Sequence, residues 1–197
     1  MIVVNDPGSW DYLYWPLAHA SWNGVTITDF VFPFFIFIVG VSIVLSSSKQ
    51  LDAGADKKKM MRKIWIRSLK IFALGLLLAL FPEFNFMELR IPGVLQRIAI
   101  CYLVCAHIFL VTNWKTQVKI AAFLLIGYWL AMMLIPVPGI GAGVLEPGKN
   151  LAAWIDSVVI PLRMYRGTWD PEGVLSTLPA IATGITGMLA GHLLKAD

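Results

Sequence analysis

Five long apolar runs organise the chain, at roughly 29–46, 64–81, 94–112, 118–135 and 174–194. A helix needs about 20 mostly apolar residues to cross a bilayer, so each run predicts a transmembrane helix. A sixth apolar segment, 150–165, carries Asp156, Pro161 and Arg163. It is too short and too interrupted to span, and predicts an interfacial or re-entrant helix. The expected fold is therefore all-α, a polytopic transmembrane helix bundle of about five full spans plus an interfacial helix. Residues 1–197 read as one partial domain. Within it, 1–28 form the end of an earlier helix and a loop, and 136–173 a long loop marked by Pro136, Pro138, Gly139, Gly141 and Gly143. "MIVVN" resembles the last turn of a helix, and "GHLLKAD" stops just after an apolar run, so both ends read as truncated. Met1 has no basic stretch and no adequate apolar core behind it, so no signal peptide is expected.

Composition strengthens this picture. The 197 residues are 58% hydrophobic and only 14% charged. Soluble domains carry nearer one quarter charged residues, so lipid is the expected solvent for much of the surface. The net charge of +4 does not point to nucleic acid, because the cations bunch in one loop. "KQLDAGADKKKMMRKIWIR" holds Lys49, Lys57, Lys58, Lys59, Arg62, Lys63 and Arg67, and the positive-inside rule places it in the cytoplasm. "NWKTQVK" and "HLLKAD" then also lie inside, while "PEFNFMELRIPG" and 136–173 lie outside. That alternation puts 1–28, and His19 with it, on the non-cytoplasmic side. Cys101 and Cys105 are four apart in an apolar run and read as small packing residues.

A few polar groups at the span ends are candidates for chemistry. His19 stands in "LAHASWNGVTITDF", where the nearby Trp10, Trp15 and Trp22 also suit an ordinary interfacial belt. A neutral imidazole at physiological pH can serve as a general base or nucleophile. No second histidine or cysteine lies near, so no metal site is expected. Asn5 reads as a helix C-cap or as an amide that steadies an oxyanion. Asp29 reads as a first-turn acid of the helix, and could orient His19. In "RIPGVLQRIAICYL", Gln96 and Arg97 enter a helix opened by Pro92 and Gly93, with Arg90 just before. They either snorkel to headgroups or form an anion site. Asp170 and Glu172 precede a helix rich in small residues, Gly184, Thr186, Gly187, Ala190 and Gly191, that permits close packing. The two acids either cap that helix or bind a cationic substrate group.

"HASWNGVTITDFVFPFFIFIVGVSI", "RIPGVLQRIAICYL" and "DPEGVLSTLPAIATGITGMLAG" occur here in that order and extend across the chain. In them the chain resembles the heparan-alpha-glucosaminide N-acetyltransferase family, as the N-terminal part of a bacterial member. The resemblance implies an enzyme of the bacterial inner membrane that moves acetyl from cytosolic acetyl-CoA to the amine of a terminal glucosamine or related amino sugar across the bilayer. It implies catalytic roles for His19, on the periplasmic side, and for Asn5. Arg90, Gln96 and Arg97 become candidates to bind acetyl-CoA, and Asp29, Asp170 and Glu172 the acceptor. A homodimer is also suggested. Two other readings stand beside it: a transporter whose path is lined by His19, Asp29 and Arg97, and an O-acyltransferase of a surface polysaccharide. The natural acceptor, and the activity of this stretch alone, are left open.

Overall fold

A computed structural model describes residues 8–9, 11–160, 162–165 and 167–196. Among these the chain is helical: α1 Val31–Asp52, α2 Lys57–Leu80, α3 Val94–Val111, α4 Trp114–Leu134, α5 Leu151–Val159 and α6 Thr177–Ala196. Side-chain caps explain several of the starts. Asp56 accepts from the Lys58 amide, Asn113 from Thr116 and Asn150 from Ala153, each satisfying an amide that the first turn leaves unpaired. The nine residues of α5 fall in the segment expected to lie at the interface, and the helix ends one residue short of the Ile160–Pro161 step.

Four segments are long and apolar enough to cross a membrane: Thr28–Asp52, Val94–Val111, Trp114–Leu134 and Thr177–Lys195. The protein is accordingly read as an integral membrane protein. The α2 helix has the length of a span, at 24 residues. It starts well before the apolar run because Lys57, Lys58, Lys59, Arg62 and Lys63 continue the helix, and Lys63, Arg67 and Lys70 put three charges into its last 18 residues. Arg67 lays its guanidinium over the Tyr102 ring at 5.0 Å, a cation–π contact with α3.

The core lies between α1, α3 and α6, where Ile36, Val44, Cys101, Cys105, Ile185 and Met188 are fully enclosed. Apolar tails gain little from leaving lipid, so close backbone approach must hold such helices together. A Cβ on Gly40 would collide with the Gly184 carbonyl, and one on Gly187 with that of Phe37. The small-residue helix thus uses its glycines for contact with α1. By contrast, α4 turns Phe123, Ile126 and Trp129 outward, an apolar face that suits lipid rather than water.

The helices alternate in direction. At one end Lys195 pairs with Asp52 at 2.7 Å, Lys57 reaches the Leu110 carbonyl at 3.3 Å, and His192 meets Gln117 at 3.1 Å. His19 belongs to the other end. The 22 residues of α1 rise about 33 Å, so the basic loop and the histidine loop are separated by about the thickness of a bilayer core.

Candidate functional site

The histidine loop is tied together by one carboxylate. Asp29 sits in a 3₁₀ turn, Thr28–Phe30, that leads into α1. Its Oδ1 lies 2.7 Å from His19 Nδ1. Its Oδ2 accepts from the Thr26 amide at 2.8 Å and the Ala20 amide at 3.2 Å, with Thr26 Oγ1 at 3.0 Å. The bond from Thr26 N back to the acid three residues on is half of a capping box. In place of the other half, the Asp29 amide donates to the Thr26 carbonyl at 3.2 Å, and Thr26 Oγ1 donates to the Ala18 carbonyl at 2.6 Å, closing the loop. The imidazole itself stays 67% exposed. With the proton on Nδ1 directed at Asp29, Nε2 presents its lone pair to the open side. All of these Asp29 contacts are to the loop that carries His19.

A second polar cluster occupies the same end. Arg90 grips Asp170 with both arms of its fork, Nε to Oδ2 at 2.7 Å and Nη2 to Oδ1 at 2.6 Å, and also reaches Glu172. Its guanidinium lies 5.0 Å from the Tyr165 ring centroid. Asp170 further accepts from the amides of Tyr165 and Glu172 at 3.0 and 2.9 Å. Burial alone would raise the Asp170 carboxyl, but Arg90 and the two amides outweigh it and hold it below its ordinary value. Burial likewise works against the Arg90 charge, and Asp170 and Glu172 overcome that, raising the guanidinium.

Arg97 is 8% exposed. Its Nη2 donates to the Gly173 carbonyl at 3.0 Å and to Ser176 Oγ, while its Nε has no partner among the described residues. Arg90 and Arg97 do not share a helix face, because α3 begins at Val94, after Pro92. They converge by another route, on the stretch 170–176 from either side of that proline. Gln96 is buried against Gly75 and Gly93. Arg97 and Gln96 line a cavity of about 420 Å³ bounded by Phe72, Ile100, Val159 and Leu178.

Two further cavities complete the geometry. One of about 430 Å³ lies toward the basic end, between α1, α2 and α3, with Ser42, Ser46, Gln50, Lys63 and Arg67 on its walls. The other, about 370 Å³, lies under the histidine loop. Trp22 donates from Nε1 to the Leu145 carbonyl at 2.9 Å and meets Trp169 edge to face at 5.1 Å, which fastens this loop onto the long loop. Asn23, Tyr128, Asp156 and Asp170 face the same space. Asp156 is 1% exposed, and its Oδ1 accepts from the Val174 amide at 2.8 Å. Burial pushes its carboxyl up. Sequence reasoning treated Asp156 only as an interruption and passed over Trp169 and Tyr128. An acid in an apolar segment was the available signal.

The predicted residues therefore fall into groups. His19 and Asp29 meet; Arg90, Asp170 and Glu172 meet; Arg97 and Gln96 share a cavity. Asn5 lies outside the described residues.

The model of the family described as heparan-alpha-glucosaminide N-acetyltransferase, catalytic, matches residues 4–169. The chain belongs to this family. Heparan-alpha-glucosaminide N-acetyltransferase of Homo sapiens is 31% identical over 245 aligned positions, which cover 98% of this chain and 36% of the relative. That of Mus musculus is 30% identical, covering 98% of this chain and 37% of the relative. The chain thus spans about a third of the length of these curated relatives. The stretch matched by the heparan-alpha-glucosaminide N-acetyltransferase family includes His19, Asp29, Arg90, Gln96, Arg97 and Asp156, and ends at Trp169, next to Asp170.

Proposed function

We propose that this chain forms part of a transmembrane N-acetyltransferase and carries residues of both its donor and its acceptor sides. It carries acetyl from acetyl-CoA, on the side of the basic loop, to the amine of a terminal glucosamine or related amino sugar on the side of His19. The observation that carries the reading is the His19–Asp29 contact of 2.7 Å beside an otherwise exposed ring. Asp29 fixes the orientation and the tautomer, so Nε2 acts as the base. The amine, relieved of its proton by Nε2, attacks the thioester carbonyl; the C–N bond forms, the C–S bond breaks, and CoA thiolate leaves and takes up the proton. In the covalent variant Nε2 attacks first and thiolate leaves; the amine then attacks the acetyl-imidazole, the bond between the acyl carbon and Nε2 breaks to restore the imidazole, and the proton that the amine loses passes to the thiolate. Asn5 is assigned the acyl carbonyl or its oxyanion.

The donor is assigned the cavity toward the basic end together with the cavity beside Arg97. Lys63 and Arg67, with the hydroxyls of Ser42 and Ser46, suit phosphate oxygens. Arg97 and Gln96 suit the polar arm of the same molecule, since the Arg97 Nε still lacks an acceptor among the described residues. Arg90 acts indirectly, because its fork is filled by Asp170 and Glu172. Asp29 is assigned to His19 rather than to the sugar. Asp170 and Glu172 shape the acceptor side, Asp170 from the wall of the 370 Å³ cavity. A bacterial inner membrane, with His19 facing the periplasm, fits the positive-inside placement of the basic loop.

The test uses the intact protein in liposomes with radiolabelled acetyl-CoA and glucosamine. Labelled N-acetylglucosamine from wild type, lost in His19→Ala, is the expected result. Label retained on wild-type protein without sugar, and absent from the variant, selects the covalent route. Full transfer by His19→Ala overturns the assignment, and label on sugar oxygen instead of nitrogen selects O-acylation.

A further inference from the structure

The cavity beneath Trp22 and Trp169 has features that the chemistry at His19 does not by itself require. Its volume of about 370 Å³ lies in the range of small-molecule sites, about 300–1,000 Å³. Two indoles meet on its rim with their planes 78° apart. Both indoles line the cavity and give it apolar aromatic surface. On the floor is Asp156, 1% exposed. It receives the backbone amides of Val174 and Asp170. An ionised carboxylate has about four acceptor directions, so these amides leave capacity for further donors. The Tyr128 hydroxyl group is on the same wall. Nearby, the guanidiniums of Arg90 and Arg97 are set against the carboxylates of Asp156, Asp170 and Glu172, which leaves one negative charge in excess when all are ionised. Aromatic walls, a buried acceptor and an excess of carboxylates together suit a small cationic polyol. His19 is three residues before Trp22, so their Cα atoms lie within about 11 Å of each other.

We propose that this cavity is the subsite for the sugar ring of a hexosamine acceptor, with Trp22 and Trp169 against the ring and Asp156 accepting from its hydroxyls while the amine turns toward His19. The identity of the ligand rests on the reading of the chain as an amino-sugar acetyltransferase; the existence of the subsite rests on the cavity. The assignment makes Asp156, Trp22 and Trp169 determinants of acceptor affinity, with no part in donor binding.

The intact protein in detergent, as Asp156→Asn and as Trp169→Ala, gives the test. Both are assayed for KM toward glucosamine and toward acetyl-CoA, and glucosamine alone is followed by saturation-transfer NMR. Only variants with wild-type melting and elution profiles are compared. Asp156 also holds the Val174 amide, so Trp169→Ala carries the test if Asp156→Asn does not fold. The KM for glucosamine should rise on the order of tenfold, as expected for loss of one contact to a charged group, with the KM for acetyl-CoA held within about twofold. The glucosamine NMR signal should weaken in parallel. Acetyl transfer with an unchanged glucosamine KM in both variants overturns the subsite and leaves the acetyltransferase reading intact. Glucosamine binding that the variants abolish, in a wild type that transfers no acetyl group, supports the subsite and overturns that reading. A rise in both KM values together overturns the subsite in favour of a merely structural role.

Discussion

Two carboxylate pairs lie at the same end of the bundle and look alike on a contact map. His19 meets Asp29 at 2.7 Å, and Arg90 meets Asp170 at 2.6 and 2.7 Å. They differ in what they leave over. The Asp170 side chain is wholly enclosed and Arg90 is 26% exposed, with the fork of the guanidinium filled by Asp170 and Glu172. The His19 side chain is 67% exposed, and only one ring nitrogen faces Asp29. The first arrangement closes on itself and fastens the Arg90 loop to the start of α6. The second aims a basic nitrogen outward and keeps the ring still. A carboxylate contact marks a candidate for chemistry when its partner is a neutral imidazole with the second nitrogen outside the contact, and a candidate for scaffolding when its partner is an enclosed guanidinium.

The largest expected effect separates these roles directly. In the intact protein His19→Ala should cut acetyl transfer about 10²- to 10⁴-fold, the usual share of a general acid–base group, and leave thermal unfolding in detergent nearly unchanged. Arg90→Met should show the reverse emphasis. It leaves Asp170 enclosed without its cation, at a cost of roughly 2–4 kcal/mol, reduced from a fully buried pair by the partial exposure of Arg90. A melting point lowered in His19→Ala and untouched in Arg90→Met would invert the comparison and sink it.

The fold was more legible than the pairing. Runs of apolar residues located every long helix, because length and hydropathy are local properties of a spanning segment, although α1 runs on to Asp52 through the polar residues after the run that ended at 46. The start of α2 was harder, since helix propensity carried Lys57 to Lys63 into a helix that hydropathy alone would have begun later. The small residues of α6 announced close packing, and Gly187 does lie against the Phe37 carbonyl. Which charges meet was another matter. Arg90 and Asp170 are 80 residues apart, and no periodicity encodes that contact. The Asp29–His19 contact spans ten residues, short enough for a loop to suggest it. Arg90 has the Nε–Nη2 edge of its guanidinium on Asp170 and Glu172. Asp156 looked like a flaw in an apolar segment, and its place on the floor of a cavity became visible only when α5 folded back beside 170–176.

A smaller effect sharpens the histidine side. Asp29→Asn keeps the size of the side chain but removes the charge that holds Nδ1–H, and it replaces one acceptor of the loop amides with a group of different polarity. Loss of one charge-assisted hydrogen bond predicts roughly a ten- to hundredfold fall in kcat, with the KM for glucosamine nearly unchanged if Asp29 does not touch the sugar. A rise in that KM with kcat preserved would return Asp29 to the acceptor site and remove it from His19. The measurement is steady-state kinetics with both substrates varied.

The smallest effect tests the scaffold through pH. The Asp170 carboxyl is held below its ordinary value of 3.8 in the fold: burial opposes the charge, and Arg90 with the Tyr165 and Glu172 amides more than offsets it. Between the folded and the unfolded value the unfolded chain binds more protons, so stability rises with pH there. The contribution is complete above about pH 3.8 and is lost as pH falls through the depressed folded value. Melting followed in detergent from about pH 5 down to about pH 3 should therefore show a decline that is shallower in Asp170→Asn, where no such proton is taken up. Arg90→Met should also flatten the slope, because without the guanidinium the burial penalty dominates and the carboxyl is no longer depressed. His19→Ala, acting on the pair that leaves a nitrogen free, should keep the wild-type slope over this range, since its ring makes no contact with Asp170. An acid slope that survives Asp170→Asn undiminished would show that the Arg90 cluster contributes nothing to the acid limb, and would leave only its geometry to set it apart from His19 and Asp29.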